Sequence, residues 1–321
     1  MSWTQERGRR KVCRVLERTK PMHRGFLEDF EEWLREVRLL APVSVAQRLR
    51  FARDFVEAVT GDDGVEATVR QLSPAQVELF FVEYSAGRAL NTRRAMAATL
   101  RLLLGFSALQ GWVGVDLAES VPSVFSYRLS GIPAGISDVA IDRVLDVLKP
   151  SSATRCRDRA VLLLLATYGP RTGQISDLRL ANLAWRERQI TFCAQKRGVP
   201  VRHVLTPTVA EAIAVYLREH RPEVDHDHVF VRHREQPTPL SPAAIRGLVK
   251  NRLREAAIDG GPCAPRAFRY ALATRLLNAR QPYKLIADSL GHQSSRATAV
   301  YAKMDRPYLE EAAAEWQELD R

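Results

Sequence analysis

Cysteine is scarce in this 321-residue chain, with Cys13, Cys156, Cys193 and Cys263 far apart and no CxxC pair among them. Neither a zinc knuckle nor a disulfide framework is indicated, and a reducing cytosol is the expected compartment. Long apolar runs are missing too. The longest, Ala160 to Ala166, falls far short of the ~20 residues that cross a bilayer, and the basic N-terminus is not followed by an apolar h-region. A soluble, cytoplasmic protein without a membrane partner is expected. No Gly-Lys-Ser/Thr follows the stretch Gly169-Pro170-Arg171-Thr172-Gly173, which excludes a phosphate-binding P-loop. Acidic residues are in the minority, 37 Asp and Glu against 48 Lys and Arg, for a net charge of +11. With no basic amphipathic helix or lipidation signal beside it, that excess points to a polyanion, and to nucleic acid ahead of an acidic membrane surface. The crowding of metal-ligand types at His220, Asp225, His226, Asp227, His228 and His233 fits no common zinc spacing, so no metal or other cofactor is expected.

What is present is mostly helical periodicity. Residues 1–24 form a basic arm, with Arg7, Arg9, Arg10, Lys11, Arg14, Arg18, Lys20 and Arg24 against Glu6 and Glu17. From there Phe26, Phe30, Trp33, Leu34 and Val37 recur at helical spacing until Pro42 interrupts, and Leu49, Ala52, Phe55, Val56 and Val59 make a second stripe. Ser73-Pro74-Ala75-Gln76 supplies an N-cap, a first-turn proline and a capping-box glutamine for a third helix. Asn91 can cap a fourth, running through Met96, Leu100, Leu103 and Leu104 with Arg93, Arg94 and Arg101 available to its other face. Residues 25–128 thus read as a small all-helical domain. Gly131, Pro133 and Gly135 mark residues 129–136 as a linker. In 137–321, Ser137 caps a helix and a buried helix begins near Arg155. Gln189 to Phe192 and Val201 to Leu205 read as strands flanking the basic tip Gln195-Lys196-Arg197-Gly198, Val229 to Val231 as another strand, and Ser241-Pro242 as the start of a helix.

The chemistry-bearing types gather after Pro265. Arg266 and Arg269 lie three apart, which on a helix puts two guanidinium groups on one face, and Leu290-Gly291-His292 is followed nine residues beyond the histidine by Tyr301. A guanidinium fork matches two phosphate oxygens, imidazole donates or accepts a proton near neutral pH, and a tyrosine hydroxyl can attack phosphorus. Such a set suits phosphodiester cleavage through a tyrosyl intermediate.

In order and spacing these residues resemble the C-terminal motif of the tyrosine recombinases, the phage integrase family. There an HxxR pair opens a helix, an LGH triplet follows, and the nucleophilic tyrosine stands nine residues after its histidine. Leu290-Gly291-His292 and Tyr301 match, Arg269 matches the arginine of the pair, and Arg266 occupies the place of the usual histidine, with Tyr270 where a second histidine often follows. Gly169-Pro170-Arg171 resembles the family's first arginine motif; three residues on, where an acid is common, stands Gln174, which can orient a guanidinium by hydrogen bonding. Lys196 matches by position the family's hairpin lysine, which protonates the leaving 5′ oxygen. The resemblance implies a mainly α fold with a small β-sheet in the catalytic domain: an N-terminal helical core-binding domain over 25–128 and a mixed α/β catalytic domain with a C-terminal tail over 137–321. It implies catalytic roles for Arg171, Lys196, Arg266, Arg269, His292 and Tyr301, double-stranded DNA as partner, and a homo- or hetero-tetramer on synapsed DNA, alone or with other recombinases. Type IB topoisomerase chemistry and a DNA-binding protein with a weakened site acting beside an active partner remain the alternative readings.

If the arm, the helical domain and the catalytic half all contact phosphates, binding should release many counterions. Affinity for duplex DNA is expected to fall about 10³- to 10⁵-fold between roughly 50 and 200 mM salt, as for some 6 to 10 neutralised phosphates. Titration at several salt concentrations checks this, and a salt-insensitive affinity, or full affinity from residues 137–321 alone, contradicts it.

Overall fold

The structure, a computed structural model, describes residues 24–60, 65–125, 135–194, 199–258 and 263–291. The arm up to residue 23, linker residues 129–134, Lys196, His292, Tyr301 and the C-terminal tail lie outside the described residues. The chain divides into two compact units, Met1–Arg128 and Leu129–Arg321.

The first unit is helical: α1 (Arg24–Glu36), α2 (Pro42–Val59), α3 (Val65–Arg70), α4 (Pro74–Ser85) and α5 (Leu90–Leu109), then a 3₁₀ turn, Val115–Ser120. The apolar stripes meet in one core that includes Phe26, Phe30, Leu34, Leu49, Phe55, Val77, Phe81, Met96, Leu100 and Leu103, with Phe26, Phe30 and Trp33 packed on Phe106. Val37 is not part of it, because α1 ends at Glu36 and leaves that side chain 64% exposed. Pro42 starts α2 instead of merely ending the stretch before it. Its fixed φ suits the first helical position, where a backbone N–H would lack a partner anyway. The capping box forms as expected: Gln76 Oε1 accepts from the Ser73 N–H at 2.9 Å and Ser73 Oγ accepts from the Gln76 N–H at 3.4 Å. Asn91 does not cap α5, which begins one residue earlier behind Ala89 without a side-chain cap. Nor does Arg101 face outward: its guanidinium donates to the carbonyls of Val121 and Pro122 and so fastens the end of the unit to α5.

The second unit carries α6 (Asp138–Val147), α7 (Ala153–Tyr168), the one-turn α8 (Thr172–Ser176), α9 (Pro207–Val215), α10 (Pro242–Glu255), α11 (Pro265–Asn278) and α12 (Tyr283–Leu290). A three-stranded antiparallel sheet, β1 (Leu183–Ala184), β2 (Gln189–Phe192) and β3 (Val201–Val204), runs in the order β1-β2-β3 with Gln189 opposite Val204 and Phe192 opposite Val201. The fold is therefore mainly α with a small sheet, as the sequence implied. Ser137, Ser152 and Ser241 cap α6, α7 and α10 through their hydroxyls. Val229 to Val231 are fully buried but form no strand. Their backbone is shared out instead, with the Val229 N–H donating to the Leu178 carbonyl and the Phe230 carbonyl accepting from Leu240, beside an isolated bridge between Val231 and Pro239.

Helix α7 is buried along almost its whole length and is the axis of this unit. Its polar start is reconciled with burial by an ion-pair network. Asp158, with a side chain 3% exposed, accepts from Arg157 on one oxygen (3.0 and 2.7 Å) and from Arg252 of α10 on the other (2.9 and 2.8 Å). Arg157 also donates to the Val231 carbonyl at 3.1 Å. Glu255 receives Arg252 and Arg155, whose hydrogen bonds, that of Arg252 first, hold its carboxyl below the usual carboxylate range. Removing one member of a buried network strands the others. Asp158→Ala, which leaves two arginines facing each other in the interior, is expected to destabilise the unit by about 3–5 kcal/mol. Denaturant unfolding reads this, and a loss no larger than that of an exposed carboxylate would contradict it.

Candidate functional site

The site is built where α7, α8, α11 and α12 end or begin. Helix α7 stops at Gly169, which has φ +57° and turns the chain back so that Arg171 becomes the residue before α8. Helix α12 stops the same way at Gly291, φ +62°, one residue before His292. Between these two ends sits Arg269 of α11, 8% exposed, donating to the Gly169 carbonyl at 2.9 Å and to the Leu290 carbonyl at 2.5 Å. Both acceptors lie at helix C-termini, where unpaired carbonyls concentrate partial negative charge, so a buried cation is well placed there. Further along α11, Arg275 donates to the Ala166 carbonyl at 2.5 Å and ties the same end of α7 again.

Arg171 is held differently. Its guanidinium is exposed and reaches the Gly291 carbonyl only at 3.4 and 3.5 Å, near the limit of a hydrogen bond. Its backbone N–H donates to Gln174 Oε1 at 2.9 Å. The sequence reading had Gln174 orienting the guanidinium; the side chain instead holds the main chain, since at the third position of α8 it points back to the helix start. Its amide Nε2 donates to the Cys193 carbonyl at 3.3 Å, just past the end of β2. Thus Arg171 and Arg269 converge on Leu290-Gly291. Arg266 does not share Arg269's surroundings. It lies exposed in the first turn of α11, and its side chain makes no hydrogen bond or ion pair among the described residues. Lys196, His292 and Tyr301 fall outside the described residues.

The end of α12 is registered against the sheet as well. A side chain on Gly291 would meet Val201 Cγ2 of β3 at 2.7 Å. His203, two residues along β3, packs on Tyr168 and Phe192 and bonds the backbone of Ser289; burial lowers its pKa, with the Ser289 bond acting in the opposite direction. Neither His203 nor Gln174's link to Cys193 was legible beforehand. A histidine inside a strand and a glutamine at a helix start carry no local signal of their distant partners. The histidine-rich loop does not assemble a metal site either: Asp227 pairs with Arg179, the rings of His226 and His228 meet edge to face at 5.0 Å, and no group of three or more ligand-type residues among the described residues could hold an ion. No described helix is long and apolar enough to cross a membrane.

The profile of the phage integrase family matches residues 137–306. Over 295 residues the chain is 32% identical to the integrase/recombinase y4rA of Sinorhizobium fredii, a span covering 90% of this chain and 70% of that protein. It is 31% identical over 202 residues to the tyrosine recombinase XerD of Chlorobaculum tepidum, covering 61% of this chain and 62% of that one. Two solved structures share its fold. One is the XerH site-specific recombinase in a post-cleavage complex with palindromic difH substrate, with TM-score 0.67 and 17% identity over 91% of this chain and 85% of that one. The other is a lambda integrase dimer bound to a COC′ core site, with TM-score 0.68 and 14% identity over 88% of this chain and 95% of that one. The chain belongs to the phage integrase family of tyrosine recombinases.

The turn at Gly169 should be intolerant of any side chain. A Cβ there would lie 3.2 Å from the Arg269 Cα and 3.2 Å from Leu272 Cδ2, on a backbone in the left-handed region. Gly169→Ala is expected to cost about 1–2 kcal/mol from the conformation alone, and to displace Arg269 besides. Unfolding measurements on the variant check this, and a neutral or stabilising effect would contradict it.

Proposed function

We propose that the chain is a site-specific DNA recombinase, of integrase or transposase type, that cleaves and rejoins strands through a 3′-phosphotyrosyl bond at Tyr301. The phenol oxygen attacks the scissile phosphorus as the bond to the 5′ oxygen breaks. The phenol proton passes to His292 or water, and Lys196 protonates the leaving oxygen. The 5′ hydroxyl of a partner strand then attacks the phosphotyrosine and expels the phenol, so the bond energy is conserved and no ATP is needed. A free phenol with pKa about 10 is ionised to only about one part in a thousand at neutral pH, so the surrounding positive charge is essential. Arg171 and Arg269 stabilise the pentacoordinate phosphorane, an effect worth roughly 3–4 kcal/mol for a well-placed donor.

The observation that carries this reading is the convergence of those two arginines, 98 residues apart in sequence, on the Leu290-Gly291 turn that leads directly into His292. Arg266 acts as a further donor to a nonbridging oxygen. An arginine stays charged at physiological pH, so it can steady the phosphate but cannot accept the proton of Tyr301. Double-stranded DNA is the substrate, contacted by both halves of the chain, and exchange takes place in a tetramer on two synapsed sites. The DNA-bound XerH and lambda integrase structures, which have the same fold, support the partner. No specific observation favours a topoisomerase.

Tyr301→Phe removes one hydroxyl and is expected to bind DNA with wild-type affinity while forming no covalent adduct. A nicked suicide duplex, resolved under denaturing conditions, reads this; a denaturation-resistant complex formed by the variant contradicts the assignment.

A further inference from the structure

The C-terminus of α12 is met from three directions. The Gly291 N–H turns back to the Asp288 carbonyl at 3.0 Å, which leaves the next three carbonyls, of Ser289, Leu290 and Gly291, without a donor from within the helix. Each is met by a side chain from a different part of the chain. Arg269 of α11 takes the Leu290 carbonyl, Arg171 ahead of α8 faces the Gly291 carbonyl at 3.4 Å, and His203 of β3 bonds the backbone of Ser289. Burial lowers the imidazole pKa and the Ser289 bond acts the other way, which is the sign of a ring N–H donating to a carbonyl. The two arginines have parts in the proposed chemistry. His203 has none so far.

The ring of His203 is fixed on its other side as well. It lies 5.0 Å from the Tyr168 ring and 5.9 Å from that of Phe192, which are themselves 5.9 Å apart, so the three rings close a triangle. Tyr168 is in turn tied to the end of β3, its hydroxyl donating to the Val204 carbonyl at 2.8 Å and accepting from the Thr206 N–H at 3.0 Å. On the same face of the strand, two residues earlier, Val201 lies under Gly291, where a Cβ would come within 2.7 Å of its Cγ2. Val201 thus sets how closely α12 approaches the sheet, and a directed bond is what can set its register. We infer that His203 is a positioning residue that holds the last turn of α12 in register with β3. Lys196 lies between β2 and β3 in sequence and His292 follows Gly291 directly, so the contact aligns the two segments that carry these groups.

The catalytic consequence rests on the recombinase reading, and the test keeps the two apart. His203→Phe keeps a flat ring beside Tyr168 and Phe192 but donates nothing, whereas His203→Asn and His203→Gln lose the ring and carry an amide N–H near the places of Nδ1 and Nε2. In hydrogen exchange on the DNA-free full chain, His203→Phe is expected to speed exchange about 3- to 10-fold around Ala287 to Gly291, the range for one lost hydrogen bond, and one of the two amide variants to restore protection there. Protection equal to wild type in the phenylalanine variant, or lost equally in all three, overturns the inference. The activity probe is a nicked duplex carrying the site that the wild-type chain captures covalently from a randomised pool. On it His203→Phe should lose about 10- to 100-fold in the single-turnover rate of adduct formation, with DNA affinity changed by less than about threefold. An unchanged rate, or a loss carried by affinity, overturns the inference. The wild type also reads the bond without any substitution. With nitrogen-15 in the histidine rings, a His203 ring N–H, assigned by its contacts to the Tyr168 and Phe192 rings, should persist against exchange with water and lie close to Ser289; its absence overturns the inference whatever the variants do. A wild type that forms no adduct overturns the recombinase reading instead, and the exchange and ring measurements still decide the role of His203.

Discussion

A buried guanidinium needs partners on several sides at once, and in this chain that requirement is met by two helix ends. Arg269 donates to the last carbonyls of α7 and α12, groups 100 and 21 residues away in sequence. Charge-assisted bonds of this kind contribute about 1.5–3 kcal/mol each, and leaving such a cation unpaired in the interior would cost more. The three helices are thereby locked at one point. Everything proposed for catalysis hangs from it, since one helix end turns at Gly169 into Arg171 and the other turns at Gly291 towards His292.

Two arginines of the same chemistry are therefore used in two ways. Arg269 is sunk into the protein and fixed by its own side chain, whereas Arg171 is exposed and fixed through its backbone by Gln174. The first can shape the site before any substrate arrives; the second keeps its fork open to an incoming anion. Beneath both, the Asp158 network ties α7 to α10 and to Val231, so the helix whose end forms the site is anchored along its length. Rigid elements hold a geometry better than loops do, which is the physical reason for so heavily buried a helix under the turn where the two arginines meet.

Much of this was legible in the residues. Helical stripes around Phe26, Phe30 and Leu34, the Ser73 and Gln76 capping box, the serine caps, and strands β2 and β3 all appear where spacing and cap chemistry placed them. The family resemblance pointed to both Arg171 and Arg269, and both side chains donate to the Leu290-Gly291 turn. The failures are those of local signals applied too far. Val37 continued a periodicity past the end of its helix, and Val229 to Val231 had strand composition but found separate backbone partners on either side. Arg101 looked solvent-facing until the turn after α5 brought carbonyls to it, and Arg266 and Arg269 shared a helix without sharing an environment. For Val229 to Val231 and for Arg101 the deciding partner lies on another element, which spacing within one element does not encode.

The central physical claim is that Arg269 couples the ends of α7 and α12. Hydrogen exchange on the DNA-free chain, comparing wild type with Arg269→Met, tests it most directly, because methionine keeps an unbranched apolar stem and removes every donor. The account predicts that protection is lost together in the last turns of both helices, around Leu165 to Gly169 and Ala287 to Gly291. Unchanged protection at both ends, or loss at one end alone, would contradict it.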